Sequence, residues 1–394
     1  MTSLIVKPGR LPSEILLPSS KSYANRALIL ASLSPSIITL SNLSTASDVT
    51  FLISSLKQVG VELEMDQSNV TIKNSFPSCE KKEGAILEIG EGGTTGRFLA
   101  CLLCLGSSPY TLILGKGLKK RPWEEFILMV KSLGAMASLN DDRLTIQGPI
   151  NIPKKIEIDC SKTTQFASGF QLALAFKETE VKPVNLSSSQ SYWEMTKSLI
   201  AHFKVTNHYF IPLDWSSASY PLAFGALNQD IFLPRLSADP YQADYKFYEL
   251  LKNIGAIERV SEGIKVHPVS FKGSIHFDVS DCLDLVPALV YLLAHIEGSH
   301  ELTGVKNLVF KESNRLSEVL LMLKTFNIEA SSDGSILWIK GKELNHLASS
   351  ELNLPEDHRL VMMAALFFRH HSGGTLSPAE AVEKSYPDFF KLFV

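Results

Sequence analysis

The chain has 394 residues, 45% of them hydrophobic and 20% charged, with a formal net charge of −3. That composition belongs to a globular protein with room for two or more cored domains, and its slight acidity excludes a generally basic nucleic-acid surface. Residues 285–296 and 360–368, the longest apolar stretches, are too short for a bilayer. The opening Met1-Thr-Ser-Leu-Ile-Val-Lys-Pro-Gly-Arg10 lacks the basic segment and apolar core of a signal peptide, so a cytoplasmic protein without membrane contact is expected.

In chain order, the predicted helices begin beside cations. Lys21 sits in Pro18-Ser-Ser-Lys-Ser ahead of an apolar run, and Arg97 follows Gly92-Gly-Thr-Thr-Gly. Arg121 precedes Pro122, a favoured first helical residue. Arg315 opens Arg-Leu-Ser-Glu-Val-Leu-Leu, Arg359 follows Asp357-His358, and Lys384 precedes Ser385-Tyr-Pro-Asp. A cation near a helix N-terminus opposes the macrodipole by roughly 0.3–1 kcal/mol. Six of them imply an anion that turns the cost into a gain, because free N–H groups at that end already favour phosphate or carboxylate. Between these points, residues 98–105 and 166–176 are apolar nearly all round and are expected in domain centres.

The five cysteines have no disulfide pattern, and Cys101 and Cys104 lie within an apolar helical run, where burial is expected rather than zinc or redox chemistry. The ten histidines show no His-Glu-x-x-His spacing; His370 and His371 are read as a solvated turn, and no metal is expected. Neither Gly-x-x-x-x-Gly-Lys-Ser/Thr nor Gly-x-Gly-x-x-Gly occurs, which argues against nucleotide binding.

One phrase recurs: an apolar helical stretch, a residue tolerant of positive φ, then two short strands. Its copies are centred on Gly60, Gly134, Gly255 and Asn327, with a weaker one at Lys204. The intervals are about 70 residues, except about 50 between Lys204 and Gly255, and units of that length are not a solenoid. They predict α/β (α+β) subdomains, three before a crossover near Phe232-Leu-Pro-Arg235 and two clear ones plus a degenerate copy after it.

Residues 18–26, Pro-Ser-Ser-Lys-Ser-Tyr-Ala-Asn-Arg, resemble the first signature of the enolpyruvyl transferase family. The resemblance continues in order: Gly90-Glu-Gly-Gly-Thr-Thr-Gly-Arg97, Arg121-Pro122, Thr163-Thr-Gln-Phe, Ser189-Gln-Ser-Tyr192, Asp214-Trp-Ser-Ser-Ala-Ser, Asp281-Cys-Leu-Asp284, Asn307 with Lys311-Glu-Ser-Asn-Arg315, Asp357-His-Arg359, and Lys384-Ser-Tyr-Pro-Asp388. It implies two similar domains, each of three βαβαββ units in an inside-out barrel-like arrangement, with the active site in the cleft between them. Residues 1–19 plus 233–394 would form one domain and residues 20–232 the other.

The branch most similar to this chain implies transfer of the enolpyruvyl group of phosphoenolpyruvate to the 5-hydroxyl of shikimate 3-phosphate, by a monomer without cofactor. By resemblance, phosphoenolpyruvate is held by Lys21, Gly93, Arg121, Gln165, Arg315, Arg359 and Lys384. Shikimate 3-phosphate is held by Lys21, Ser22, Arg26, Thr163, Thr164, Gln165, Ser189, Tyr192, Asp284, Asn307 and Lys311. Asp284 would take the hydroxyl proton and Glu312 would protonate C3, with Lys21 and Lys311 also catalytic. Read without the family, Thr163 and Thr164 are ordinary helix caps and Glu312 an ordinary ion-pair partner. Asp284, interrupting an apolar run, needs a cation beside it or a proton to move.

Glu91 departs from the family's usual Asn, and a carboxylate there is expected to weaken anion binding unless Arg97 or Lys119 neutralises it. The nearest alternative is transfer to UDP-N-acetylglucosamine. Ser22 in place of Asn, and Lys116 in place of a loop cysteine, argue against it. A non-catalytic anion-binding homologue is the other alternative, and the presence of both Asp284 and Glu312 argues against that.

Overall fold

The computed structural model describes residues 2–342, 344 and 350–394. They form two compact units, one comprising residues up to Pro18 together with Leu213–Val394, the other Ser19–Pro212. The second crossing therefore lies at 212/213, about 20 residues before the position expected from the repeat spacing. The reason is local. Strand His208–Phe210 adds in parallel to Ile38–Ser41 and completes a sheet of the Ser19–Pro212 unit. Helix Trp215–Asn228, capped by the Asp214 carboxylate, then packs on helices Val286–Ala294 and His358–His370 of the other unit.

Each unit carries three sheets among the described residues. In Ser19–Pro212 the middle one shows the repeat most completely, as strand Ala85–Gly90, helix Gly93–Leu103, strand Tyr110–Leu114, helix Glu124–Ser132, then hairpin Met136–Asn140/Arg143–Gln147. The two strands separated by a helix pair in parallel, and the hairpin adds antiparallel. The same order returns in the other unit as His276–Asp278, Val286–Ala294, Gly298–Thr303, Arg315–Thr325 and the hairpin Ala330–Ser332/Ile336–Gly341. Strand Leu4–Val6 also belongs to that unit, pairing with Gly374–Ser377.

The repeated helix stops work as their residue types predict. Gly60, Gly134, Gly255 and Asn327 all have positive φ, from 55° to 111°, and each precedes an antiparallel hairpin. Lys204 keeps a right-handed conformation and is followed by a single strand. Lysine, unlike glycine or asparagine, enters positive φ only at a steric cost, and this copy has no hairpin after it.

The apolar helices fill the centres. Every residue of Val286–Ala294 is buried, as are all but one of Gly93–Leu103. Cys101 and Cys104 are wholly buried, and burial pushes both thiols up. Among the described residues no helix is long and apolar enough to cross a membrane.

Candidate active site

In the unit containing the C-terminus, one ion network is built around Arg315, the first residue of its helix and wholly buried. Its Nη1 donates to Asp284 Oδ1 at 2.9 Å, its Nη2 to Glu312 Oε2 at 2.7 Å, and its Nε to Asp357 Oδ2 at 3.0 Å. Asp284 also receives Lys311 Nζ at 3.2 Å and Arg359 Nη2 at 3.2 Å. Glu312 Oε1 accepts from Lys384 Nζ at 2.8 Å. Six of the predicted residues thus meet through direct contacts. Asn307 lies on the 3-10 segment Val305–Phe310 that leads into Lys311 and is half-buried.

Local structure explains the convergence. Asp284 sits in the 3-10 turn Leu283–Leu285 just ahead of the buried helix Val286–Ala294. Asp357 caps helix His358–His370, accepting from Arg359 N at 3.1 Å, and so holds Arg359 in the first turn. Burial acts to raise the Asp284 carboxyl, but Arg359, Lys311 and Arg315 together hold it well below the usual carboxylate range. Burial likewise opposes the Arg315 charge, and Asp357, Glu312 and Asp284 overcome it and raise its pKa. Lys384 departs from the helix-start expectation: it ends the 3-10 segment Ala379–Lys384. Its charge answers Glu312, not a helix dipole.

The Ser19–Pro212 unit gathers a second set. Lys21, the first residue of helix Lys21–Leu33, pairs with the buried carboxylate of Asp48 at 2.8 Å. Arg26, one turn on, is buried; it donates to Thr196 Oγ1 at 2.9 Å and to the carbonyls of Ser22 at 2.9 Å and Tyr192 at 3.3 Å. Its guanidinium lies 5.0 Å from the centre of the Phe98 ring and 5.6 Å from that of Tyr192. Burial lowers its pKa to about 10, which leaves it charged at neutral pH. Ser189 stands at the N-cap position of helix Gln190–Phe203, without a side-chain cap, at φ 58° and ψ 35°, a left-handed conformation unusual for a residue with a side chain. That conformation places Tyr192 in the first turn beside Arg26.

Gln165 joins the remaining residues of this unit. Its Oε1 accepts from Arg97 Nη1 at 2.6 Å and its Nε2 donates to Thr94 Oγ1 at 3.0 Å. Arg97 Nη1 also reaches Thr163 Oγ1 at 3.3 Å. Arg121 lies directly over Gly93, where an added Cβ would collide with its Nη1. Gly93 is therefore needed for close approach of that guanidinium. The capping expectation divides: the Thr163 hydroxyl accepts from Gln165 N at 3.2 Å, while Thr164, at the N-cap position, makes no side-chain cap. Arg97 is the fifth residue of its helix and Arg121 lies on a turn three residues before the next one, so neither opens a helix as expected.

Glu91 is held by main-chain amides. Its carboxylate accepts from Gly117 N at 3.1 Å and Leu118 N at 2.9 Å, tying down the segment that leads to Arg121. Lys119 is engaged elsewhere, by Asp141 at 2.9 Å.

Three carboxylates were given no role in the sequence reading. Asp48 and Asp357 are the direct partners of Lys21 and Arg315; Asp357 stood in the Asp357-His-Arg359 motif, where an Asp just ahead of an apolar helical run could have been read as an N-cap. Asp244 is fully buried, with Oδ2 accepting from the Ser216 hydroxyl and Oδ1 without a hydrogen bond. Burial raises it to about 7, against the pull of Arg359. His370 and His371 are half-buried and packed with His295, not a solvated turn.

The sequence matches the family described as EPSP synthase (3-phosphoshikimate 1-carboxyvinyltransferase) over residues 5–393. Among its relatives, the 3-phosphoshikimate 1-carboxyvinyltransferase of Psychromonas ingrahamii is 27% identical, the match covering 99% of this chain and 98% of the relative. That of Nitrosopumilus maritimus is 28% identical, covering 98% and 96%. EPSP synthase from Acinetobacter baumannii superposes with a TM-score of 0.78 at 23% identity, covering 99% of this chain and 97% of that one. The enolpyruvyl transferase NikO from Streptomyces tendae gives 0.75 at 13%, covering 99% and 95%. These structural likenesses establish the fold, mixed α/β as expected. The family match along nearly the whole sequence establishes the rest: the chain belongs to the EPSP synthase (3-phosphoshikimate 1-carboxyvinyltransferase) family.

Proposed function

We propose that the protein transfers the enolpyruvyl group of phosphoenolpyruvate to the 5-hydroxyl of shikimate 3-phosphate, releasing phosphate in the shikimate pathway. The observation that carries this reading is the division of cations between two carboxylates. Asp284 holds Lys311, Arg359 and one arm of Arg315, while Glu312 holds Lys384 and the other arm. The two carboxylates serve as internal counterions that substrate phosphate and carboxylate groups replace.

That exchange sets the chemistry. A carboxylate held far below its ordinary pKa is a weak base. When substrate anions occupy Arg359, Lys311 and Arg315, burial, the largest influence on Asp284, raises its affinity for a proton. Asp284 then takes the hydroxyl proton as the 5-oxygen bonds to C2 of phosphoenolpyruvate. The C2–C3 π electrons take a proton delivered by Glu312. Loss of a C3 proton then re-forms the double bond as the C2–O bond to phosphate breaks. In the other unit Lys21, Arg121 and Gln165, with Gly93 giving close access, take the phosphoenolpyruvate anion. Arg26, Ser22, Thr163, Thr164, Ser189 and Tyr192 take shikimate 3-phosphate. On this reading a cytoplasmic monomer performs the step without a cofactor.

The test is phosphate release from phosphoenolpyruvate with shikimate 3-phosphate or UDP-N-acetylglucosamine as acceptor, and Lys21→Met as control. Release is expected with the first acceptor only and lost in the variant. Release with UDP-N-acetylglucosamine, or with neither, overturns the proposal.

A further inference from the structure

At the opposite ends of two helices that begin beside Asp284 and Arg359, three imidazoles meet. His295 follows the last residue of Val286–Ala294, while His370 ends His358–His370 and His371 follows it. One ligand-capable atom from each lies within 4.8 Å of the others. All three residues are half-buried, so solvent reaches the group.

The hydrogen bonds around them fix much of their protonation. His295 Nδ1 lies 2.6 Å from the Tyr291 carbonyl, which only accepts, so Nδ1 carries the proton. Burial, followed by His370, pulls His295 well below the usual histidine range, keeping it neutral. Its Nε2 is then a bare lone pair. That lone pair faces His371 Nε2 at 2.8 Å, with the two rings within 9° of parallel and their centres 5.0 Å apart. A centre separation that nearly equals the nitrogen gap plus two ring radii means the rings lie edge to edge in one plane. His371 Nε2 therefore donates, and a single proton sits between two nitrogens aimed at each other. His370 packs against both rings at 4.5 and 4.4 Å. Its Nδ1 is 2.9 Å from the Tyr291 hydroxyl, which Asn228 Nδ2 supports at 3.2 Å.

We propose that His295, His370 and His371 form a binding site for a divalent transition-metal ion of the zinc class, each ligating through Nε2. Imidazole-only donors suit zinc, copper, nickel or cobalt and exclude the hard cations calcium and magnesium. The Tyr291 carbonyl holds Nδ1 of His295 and so orients its opposite nitrogen, as metal-binding histidines are commonly held, and the Tyr291 hydroxyl holds Nδ1 of His370 at a point about which that stacked ring can pivot. Binding moves the shared proton from His371 Nε2 to its Nδ1 by exchange with water, so that both rings ligate as neutral imidazoles, and it tilts and parts the facing nitrogens from 2.8 Å to about 3.3 Å, the separation of two ligands about 2.05 Å from a tetrahedral ion. The His370 ring turns its Nε2 toward the pair, and water fills the fourth position. Helix C-termini add partial negative charge favourable to a cation. The ion would tie together the far ends of the helices that begin beside Asp284 and Arg359, so it acts on stability and not on the reaction step.

The experiment uses the full chain, stripped with a chelator and titrated with Zn2+ by calorimetry, with the visible absorption of a Co2+ derivative as geometric readout. One equivalent should bind saturably, raise Tm, and lose affinity in acid, where protons compete with the ion for the imidazole nitrogens. His371→Asn and the His295→Asn/His371→Asn pair should lose the site, while Tyr291→Phe should weaken it by about 10–100-fold. Should the histidine variants not fold, Tyr291→Phe and the Zn2+-dependent Tm of the unaltered chain still decide the matter. Failure to bind one equivalent, an octahedral Co2+ spectrum, or binding and Tm shift unchanged in the variants overturns the proposal.

Discussion

The two units hold comparable numbers of candidate-site cations in different ways. In the C-terminal unit, Lys311, Arg315, Arg359 and Lys384 are interlocked with Asp284, Glu312 and Asp357. In the Ser19–Pro212 unit, Asp48 pairs with Lys21, whereas Arg26 and Arg97 rest on carbonyls, hydroxyls, an amide and aromatic faces. The difference teaches that a cation can be kept in a protein by two routes. Neighbouring carboxylates neutralise it, and a ligand must then displace them. Neutral oxygens and ring quadrupoles stabilise it while leaving its charge available. On the proposed function, the first arrangement would couple substrate arrival to proton chemistry, and the second would suit plain binding.

Four measurements break or sharpen that contrast. Arg315→Ala removes the hub and leaves Asp284, Glu312 and Asp357 without their shared partner. Urea unfolding should show a loss of about 3–5 kcal/mol, the usual result of breaking a buried ion network, with activity abolished. A loss below about 1 kcal/mol would refute the network as a structural element. Lys21→Met should cost less, about 1–3 kcal/mol, because only Asp48 loses a partner. Adding Asp48→Asn should restore stability but not phosphate release, separating the structural share of that pair from its binding share.

Acid unfolding comes third. Asp284 is depressed in the folded state, so its stabilisation is present above the unfolded value, about 3.9, and is lost as pH falls through the lower folded value. Asp244 has the opposite sign. It is raised to about 7 when folded, so stability falls as pH rises from about 4 toward 7. Each contributes a slope of at most about 1.4 kcal/mol per pH unit within its window. Asp284→Asn should flatten the acid limb and Asp244→Asn the limb below neutrality. Unfolding profiles unchanged by either substitution would remove both assignments. The smallest stability effect is expected from Gly93→Ala, under about 1 kcal/mol since Arg121 can move aside. Its KM for phosphoenolpyruvate should rise about tenfold, equivalent to about 1.4 kcal/mol, with little change in KM for shikimate 3-phosphate. Equal changes in both constants would argue against Arg121 as a phosphoenolpyruvate ligand.

Much of the architecture could be read directly from residue types. Gly60, Gly134, Gly255 and Asn327 stop helices at positive φ and introduce hairpins because few residues tolerate that conformation. The uniformly apolar segments are buried helices because no polar stripe offers them a solvent face. The same local chemistry placed Lys21, Arg315 and Arg359 within the first two residues of their helices.

Pairing was decided only in three dimensions. Nothing near Glu91 in the chain announces that it binds the amides of Gly117 and Leu118, or that His295 meets His371, 76 positions away. Nor does local sequence show that Leu213 starts the return to the other unit. The amino-acid sequence fixes which backbone conformations and which burials are affordable, since these depend on each residue and its near neighbours. Which charge answers which depends on how helix ends are brought together by packing many residues apart, and side-chain interactions acting over a few ångströms are settled only after that packing exists.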